Sequence, residues 1–221
     1  MSLSLEISLN DGARSLGLAL TDSQIRQLLG YLALIQKWNQ VYNLTALRDP
    51  AEMLTHHLLD SLAVIGPLRA QLRGRAPADA LAGWSLLDVG SGAGLPGAVI
   101  AICCPDIAVT CVDTVAKKAA FVQQTSVALK LPNLRGLHAR VEKLSQHFDV
   151  VSSRAFASLA DFTAWSAGAL APNGIWLAMK GKSPAEELVQ LPPDVEVFHV
   201  EQLTVPGLDA ERCIVWMRRR A

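Results

Sequence analysis

The sequence predicts an α/β protein whose mostly parallel sheet carries helices on both faces and is preceded by a cap of helices. Three observations predict this fold. Strand-like and helix-like segments alternate from Trp84 onward, as in successive βαβ units. A glycine-rich turn, DVGSGAGLPG (88–97), follows the first predicted strand, where open α/β sheets bind ligands. The residues before 84 show helical periodicity. We therefore expect a helical cap and connector over 1–83 and the core over 84–221, together forming one compact unit.

The cap is predicted to contain two helices. Thr21 and Asp22 are typical N-cap residues, and the apolar residues after them recur at helical spacing: Ile25, Leu28, Leu29, Leu32, Ile35 and Trp38. A second helix is predicted to begin after Asp49-Pro50 and to end near Gly66-Pro67. Residues 69–83 are expected to form a polar connector.

The core segments follow in regular order. Strands are predicted at 85–89, 107–113, 133–139, 148–155 and 175–181. The helices between them are predicted at 97–104, 114–131 and 159–170, and the turn Pro172-Asn173-Gly174 is expected to close the last one. Two final strand-like segments, 195–205 and 212–219, are separated by a Pro-Gly turn and no helix. An antiparallel hairpin or a reversed edge strand is therefore predicted at the end of the sheet.

Composition excludes several classes of protein. Of the 221 residues, 51% are hydrophobic and 18% are charged, which is typical of a globular chain. The 20 basic and 20 acidic residues balance, so binding of nucleic acid through bulk charge is not indicated. The four cysteines form no CxxC pair, which predicts buried thiols in a reducing compartment and no metal site. Neither a signal peptide nor a membrane span is predicted, so we expect a cytoplasmic protein.

The glycine-rich turn can be aligned in two ways. Gly92 to Gly97 satisfy G-x-G-x-x-G, and Asp113 lies 21 residues after Gly92, near the spacing of a ribose-binding acid in dinucleotide enzymes. The other alignment is Asp88-x-Gly90-x-Gly92-x-Gly94, in which a carboxylate precedes the turn. An NAD-dependent oxidoreductase therefore stays open as an alternative.

Charge separates the two alignments. A pyrophosphate needs helix N-terminal amides without a neighbouring carboxylate. S-adenosylmethionine has no phosphate, and its sulfonium and amino groups are cationic, so Asp88 would order the loop and attract the methionine end. Asp113 would accept hydrogen bonds from both ribose hydroxyls. The residues thus favour a methyltransferase with Asp88, Gly90, Gly92, Gly94 and Asp113 around the cofactor.

Several segments together carry a more specific resemblance: NLTAL (43–47), HHLLDSLAV (56–64), DVGSGAGLPG (88–97), VDTVAKKAAFV (112–122), ARVEKL (139–144), FDVVSSRAFASL (148–159) and MKGK (179–182). From about Tyr31 to its end, the chain resembles the bacterial family of glucose-inhibited division protein B, which methylates guanine N7 in small-subunit (16S) ribosomal RNA. The resemblance implies a class I S-adenosylmethionine-dependent methyltransferase fold, Rossmann-like, with a reversed edge strand and an N-terminal helical cap.

The resemblance also implies cofactor contacts at Gly90, Leu95, the pair Val141-Glu142 and Arg154. For Arg154 the alternative is an ion pair with an acid such as Asp161.

The chain departs from the family at two places. It has His56-His57 where members often have Arg-His before LLDSL, which puts a phosphate role for that arginine in doubt. It also has Lys117-Lys118 where a Lys-Arg pair is common, and lysine and arginine bind phosphate differently. We expect His56 and His57 to be hydrogen-bonded structural residues rather than metal ligands.

The residues after the fourth core strand limit the chemistry. Enzymes that methylate an exocyclic amine often carry Asp/Asn-Pro-Pro-aromatic here, whereas this chain has SSRA (152–155), and it lacks a Pro-Cys nucleophile for pyrimidine C5. Both absences favour an acceptor that is nucleophilic when neutral, such as guanine N7, which needs no general base. Catalysis would then depend on orientation, with Arg154 as the candidate catalytic residue. A non-catalytic cofactor- or RNA-binding module is the second alternative.

Contacts to RNA must come from local features because the net charge is zero. The substrate-binding candidates are Lys180, Lys182, His57 and Phe156. Basic clusters that could contact phosphates contain Arg69, Arg73, Arg75, Lys130, Arg135, Arg140, Lys143 and the run Arg218 to Arg220. The expected partner is 16S ribosomal RNA or the small ribosomal subunit, bound by a monomer.

Overall fold

The computed structural model describes residues 2–75, 83–181 and 184–220. The cap contains α1 Ser2–Ser15, α2 Asp22–Tyr42, α3 Pro50–Met53, α4 Asp60–Leu62 and α5 Ile65–Arg73. A π-helical turn, Leu54–Leu59, joins α3 to α4 without a break. Among the described residues, none of the helices has both the length and the apolar composition of a transmembrane span.

The first predicted cap helix is confirmed as α2. Thr21 accepts a hydrogen bond from the backbone N–H of Gln24, and the Gln24 side chain accepts one from the N–H of Thr21, which is a capping box. The predicted apolar stripe is buried at Ile25, Leu28, Leu32 and Ile35. Trp38 packs edge-on against Phe121 with ring centroids 5.3 Å apart, as expected for a core position.

Helix α1 is not predicted by the sequence pattern. Its apolar residues alternate with polar ones from Leu3 to Leu9, which is the period of a strand. In the structure Leu9 and Ala13 are buried, while Leu3 and Ile7 are exposed. Burial of one face against the cap therefore determines this helix, and the local alternation does not.

The predicted end of the second cap helix near Gly66-Pro67 is wrong. Asp49 accepts hydrogen bonds from two backbone N–H groups of α3, and the chain then stays helical through Leu62. Helix α5 begins at Ile65, so Gly66 and Pro67 lie in its first turn. Proline fits there because first-turn N–H groups have no intrahelical acceptor. Arg69 and Arg73, predicted in the connector, are consequently helical.

The core is a seven-stranded sheet made of β1 Ser85–Val89, β2 Ala108–Asp113, β3 Leu134–His138, β4 Phe148–Arg154, β5 Leu170–Lys180, β6 Val195–Leu203 and β7 Arg212–Arg219. The strand order is β3-β2-β1-β4-β5-β7-β6. The order reverses between β1 and β4, and the carboxyl ends of strands at such a point form the ligand-binding edge of doubly wound sheets.

The two final strands form the predicted antiparallel hairpin. Strand β7 runs antiparallel to both β5 and β6, whereas the other pairings, among β1 to β5, are parallel. The reversed strand lies next to the edge, and β6 itself is the edge strand. A short connection requires antiparallel neighbours, so β7 returns from β6 into the gap beside β5.

The helices of the core are α6 Gly97–Cys103, α7 Ala116–Ala128, α8 Leu159–Ser166 and α9 Ala185–Leu188. The larger hydrophobic cluster includes cap residues such as Leu28 and Leu62 together with the whole apolar face of α6. The turn Pro172-Asn173-Gly174, predicted to close α8, lies inside β5 instead. The pairing of β5 with β4 shifts register between Phe148 and Val150. A strand irregularity of this kind accommodates proline and glycine.

Candidate functional site

A cleft of about 480 Å³ lies at the carboxyl ends of β1 to β4. It is lined by Gly90 after β1, by 113–115 after β2, by 139–142 after β3 and by Ala155 and Phe156 after β4. Parallel strands bring these connections together because their carboxyl ends meet at one edge of the sheet. This first cleft brings together four of the predicted cofactor residues: Gly90, Asp113, Val141 and Glu142.

Asp88 does not line the first cleft. Its side chain is completely buried. Its Oδ2 accepts a hydrogen bond from the Gly97 N–H at 3.0 Å, and its Oδ1 accepts one from the Ser152 hydroxyl at 2.9 Å. Burial raises the pKa of Asp88 to about 6, although both hydrogen bonds act to lower it. The carboxylate joins β1 to the start of α6 and to β4, so the geometry supports its predicted role in ordering the loop.

The other predicted cofactor residues of the glycine-rich turn, Gly92, Gly94 and Leu95, contact the protein itself. Gly94 lies near Tyr31, whose buried hydroxyl donates a hydrogen bond to the turn at 2.6 Å. Leu95 is buried in the larger hydrophobic cluster. The N–H of Gly92 donates to Asp113 at 3.0 Å. Gly92, Gly94 and Leu95 are not among the residues that line the first cleft.

Asp113 combines a structural role with free acceptor capacity. Its Oδ1 accepts a hydrogen bond from the Val115 N–H at 2.8 Å, and its Oδ2 accepts the one from Gly92. Lys118 Nζ lies 3.9 Å from the same Oδ2. Each carboxylate oxygen has two lone-pair directions, so Asp113 can accept one further hydrogen bond on each oxygen, which matches a pair of neighbouring hydroxyls.

Phe156 lies directly against Gly90. A Cβ added at Gly90 would lie 2.8 Å from Cε2 of Phe156 and closer still to Cδ2, and Gly90 has φ +64°, a conformation that favours glycine. Phe156, predicted as a substrate contact, lines the first cleft and not the smaller one described next.

A second cleft of about 250 Å³ adjoins the first at Ala155, which lines both. Its other lining residues come from the cap and from the ends of β4, β5 and β7: His56, Asp60, Arg154, Met179, Lys180, Gly181 and Arg212. This second cleft is rich in hydrogen-bond donors, because three of its side chains are arginine or lysine.

Arg154 pairs with an acid of the cap. Its Nη1 donates to Asp60 Oδ2 at 2.7 Å and to the carbonyl of His56 at 2.9 Å. Arg212 Nε donates to the other oxygen of Asp60 at 2.8 Å. Asp161, expected as the alternative partner of Arg154, caps α8 through Ser158 instead. Arg154 lines the second cleft but not the first.

Lys180 is fixed by two acceptors. Its Nζ donates to the carbonyl of Ala157 at 3.0 Å and to Glu187 Oε2 at 2.8 Å. Glu187 Oε2 also accepts the N–H of Leu159 at the start of α8. The other predicted lysine, Lys182, lies outside the described residues.

His57 does not face either cleft. Its Nε2 lies 2.9 Å from the Thr45 hydroxyl, and burial lowers its pKa to about 4, assisted by the charge of Arg154. His56 is the histidine that lines the second cleft, and His57 is not among the lining residues of either cleft, so a substrate contact at His57 stays a prediction. Within the described ranges no group of three or more metal-binding side chains occurs.

The basic clusters differ in their distance from the clefts. Arg140 lines the first cleft. Arg218 pairs in register with Ile175, at the amino end of the core part of β5, and forms an ion pair with Glu196 at 2.8 Å. Because β7 runs antiparallel to β5, its carboxyl end lies beside the amino ends of the parallel strands, on the side of the sheet away from both clefts. The run Arg218 to Arg220 is therefore not placed to contact a ligand in them.

Comparison with known proteins decides the family. Residues 24–215 match the family described as GidB, rRNA small subunit methyltransferase G. The chain belongs to this family. Among curated relatives named ribosomal RNA small subunit methyltransferase G, that of Polaromonas sp. strain JS666 is 70% identical over 213 residues, which cover 96% of this chain and 93% of the relative. That of Acidovorax ebreus strain TPSY is 67% identical over 216 residues, 97% of this chain and 96% of the relative.

Solved structures confirm the fold class of this family member. A SAM-dependent methyltransferase from Aquifex aeolicus superimposes with a TM-score of 0.55 at 17% identity, covering 79% of this chain and 96% of that chain. TrmN from Thermus thermophilus superimposes with a TM-score of 0.54 at 20% identity, covering 76% and 53%. The predicted class I methyltransferase fold is therefore confirmed.

The lining residues of the first cleft to which the sequence assigned no cofactor role include Lys118 and Trp165. Trp165 had a detectable signal. The buried residues of α8 include Leu159, Phe162 and Ser166, which is helical spacing, and Trp165 falls outside that stripe. A large aromatic residue out of phase with the buried face of a helix at the ligand-binding edge indicates a ligand contact.

Proposed function

We propose that this protein transfers a methyl group from S-adenosylmethionine to N7 of a guanosine in 16S ribosomal RNA. Membership of the family and the names of the curated relatives support a ribosomal RNA acceptor. The observation that carries the cofactor assignment is the hydrogen bond from the first amide of α6, at Gly97, to the buried carboxylate of Asp88. A pyrophosphate would need that amide and would be repelled by the carboxylate. The turn therefore fits a cationic cofactor without phosphate better than NAD.

The residues of the first cleft fit the parts of S-adenosylmethionine. Asp113 would accept both ribose hydroxyls, since each of its oxygens keeps a free lone pair. Val141 and Glu142 would flank the adenine, and the backbone of Gly90 would approach the methionine part. When bound, the cofactor supplies a methyl group on a positively charged sulfur. The residues of the first cleft would hold it, and Ala155, which lines both clefts, would lie between the cofactor and the acceptor.

The second cleft fits an acceptor that needs orientation rather than deprotonation. Guanine N7 has a free lone pair, so no general base is required. Three cations, Arg154, Lys180 and Arg212, face two carboxylates, Asp60 and Glu187, which leaves the cleft positive and suited to an RNA strand. Nη1 of Arg154 is held by the cap, while its Nε and Nη2 N–H groups can still donate to the base or to the cofactor carboxylate.

The remaining assignments form part of the same proposal. The shared hydrophobic cluster of cap and core supports one compact unit over 1–83 and 84–221. We place this unit in the cytoplasm as a monomer, where the small ribosomal subunit is accessible.

The decisive experiment is methyl transfer from labelled S-adenosylmethionine to small-subunit RNA. Purified protein is incubated with 16S RNA and with small subunits that lack the modification, and labelled sites are mapped by chemical cleavage at N7-methylguanosine. We expect one labelled guanosine. Label at another atom, or none with either acceptor, would contradict the proposal. A thermal-shift comparison adds a check on the cofactor, because S-adenosylhomocysteine should raise the melting temperature and NADH should not.

Gly90→Ala should weaken cofactor binding. Alanine at φ +64° costs roughly 1–2 kcal/mol, and its Cβ would displace the ring of Phe156, which lines the first cleft. We expect affinity for S-adenosylhomocysteine, measured by calorimetry, to fall at least ~10-fold, which corresponds to ~1.4 kcal/mol. The matched control is Gly17→Ala, where φ is +71° but a Cβ meets nothing within 4 Å. It should lose stability and keep wild-type affinity, and equal affinities in the two variants would exclude the proposed close approach at Gly90.

A further inference from the structure

Trp165 is an exposed aromatic residue in the wall of the first cleft. Its side chain is 43% exposed, whereas Trp176 and Trp216 are buried in the core. It lies on α8, whose buried residues face the sheet, and it lines the same cleft as Asp113 and Val141. A ligand that covers this exposed indole would gain hydrophobic free energy.

The surroundings hold the indole in place. Phe156 lies edge-on to Trp165 with ring centroids 5.8 Å apart and an interplanar angle of 83°. Phe156 in turn lies edge-on to the buried Phe162 at 6.4 Å. These perpendicular contacts are favourable for aromatic rings, and they connect Trp165 to the core. The ring is therefore prepared before a ligand arrives, which lowers the entropic cost of binding.

The side chains of the first cleft fit the nucleoside part of a ligand. Asp113 offers acceptors for a diol, and Val141 offers a buried apolar surface beside it. A planar aromatic group attached to a ribose satisfies both, and it would be within the same cleft as Trp165. Trp165 does not line the second cleft, where the acceptor base is placed.

We propose that Trp165 is a cofactor-binding residue that contacts the purine ring of S-adenosylmethionine. The inference rests on the proposed function, because it takes this cofactor as the ligand. Stacking of a base on an aromatic side chain contributes enough to change affinity by a factor of ten or more.

The test compares three tryptophan variants by calorimetry with two probes, S-adenosylhomocysteine and 5′-methylthioadenosine, which lacks the amino-acid end. Trp165→Ala should weaken both probes by a similar factor of about 10 or more. Trp165→Phe, which keeps an aromatic face, should recover most of the affinity. Trp84→Phe is the matched control, because Trp84 precedes β1 at the opposite end of the strand from Gly90, and it should bind both probes like the wild type.

Fluorescence gives a second readout. The ligand-induced change in tryptophan emission should persist in Trp84→Phe and disappear in Trp165→Phe. Urea denaturation of ligand-free Trp165→Ala should match the wild type, since the side chain is nearly half exposed, and this separates a binding role from a structural one.

The outcomes are distinguishable. If the wild type binds neither probe, the cofactor assignment fails and the inference fails with it. If the wild type binds but Trp165→Ala binds equally well, Trp165 has no role in the cofactor site and the proposed function stands. Loss of RNA affinity with unchanged affinity for both probes would assign Trp165 to the acceptor and would overturn the inference.

Discussion

Asp60→Ala is expected to lower the free energy of unfolding by about 2–4 kcal/mol. Asp60 is 3% exposed and accepts hydrogen bonds from Arg154 at 2.7 Å and from Arg212 at 2.8 Å. Removing it leaves two partly buried guanidinium groups without their shared carboxylate. The arginines keep about a fifth of their side-chain exposure, 19% and 22%, so water compensates for part of the loss and the effect stays below that of a fully buried pair.

The carboxylate also connects three parts of the fold. Asp60 belongs to the cap, Arg154 ends β4 and Arg212 begins β7. Without Asp60 the cap loses this ionic connection to the sheet, and Nη1 of Arg154 retains only the carbonyl of His56. Methyl transfer should therefore fall even at a temperature where the variant remains folded.

Urea denaturation with the linear extrapolation measures the stability change. Glu196→Ala is the matched control, since it removes an ion pair with Arg218 at the same 2.8 Å distance but on the exposed surface, and surface pairs contribute little. Asp60→Asn should fall between the wild type and Asp60→Ala because it keeps an acceptor without the charge. If Asp60→Ala and Glu196→Ala unfold at the same urea concentration, the buried pairing does not stabilise the fold.

The same ion pairs show why some of the site could not be predicted. Asp60 is separated from Arg154 by 94 residues and from Arg212 by 152, and no local pattern specifies which acid reaches which arginine. The nearby Asp161 was the natural candidate for Arg154, but its position three residues after Ser158 makes it a helix-cap partner. Pairings across the fold depend on the topology, which places the end of β4 beside the cap.

Features encoded in consecutive residues were predictable. The capping residues before α2, the strand ends at Gly90 and Asp113, and the hairpin of β6 and β7 all follow from short patterns. Which of the two histidines lines the second cleft could not be predicted, because a π-helical turn covers both of them. Such a turn adds one residue, which rotates the following side chains by about 100° relative to an α-helix. His56 lines the second cleft, and His57 does not.

Asp88→Asn should change the pH dependence of stability. The pKa of Asp88 is raised to about 6 in the folded protein from 3.8, chiefly by burial. Between these two values the folded state binds more protons than the unfolded state, so stability falls as pH rises through this window. The loss is complete above about pH 6 and amounts to ~3 kcal/mol at 1.36 kcal/mol per pKa unit. The asparagine variant lacks this titration, so the difference in stability between variant and wild type should shift in favour of the variant by most of that amount, about 2 kcal/mol, from pH 4 to pH 7.

The experiment is urea denaturation of both proteins at several pH values between 4 and 7.5. Using the difference between them removes the contributions of the other carboxyl groups. Asparagine can still accept a hydrogen bond from the Gly97 N–H and can donate one to the Ser152 hydroxyl, so the turn should keep its shape. Asp88→Ala, which loses both hydrogen bonds, distinguishes the removal of charge from the removal of contacts. A difference that is constant with pH would show that Asp88 titrates normally in the folded protein.

The reason to retain a destabilising carboxylate lies in the proposed cofactor. A cationic ligand favours the ionised form of a nearby acid, so binding of S-adenosylmethionine to the wild type should strengthen as pH rises through about 6. Asp88→Asn should bind it more weakly at pH 7.5 and with less dependence on pH. Higher stability together with weaker binding is the trade-off expected when a destabilising residue is kept for function. If Asp88→Asn binds the cofactor as tightly as the wild type at pH 7.5, the carboxylate orders the glycine-rich turn and does not contribute to cofactor binding.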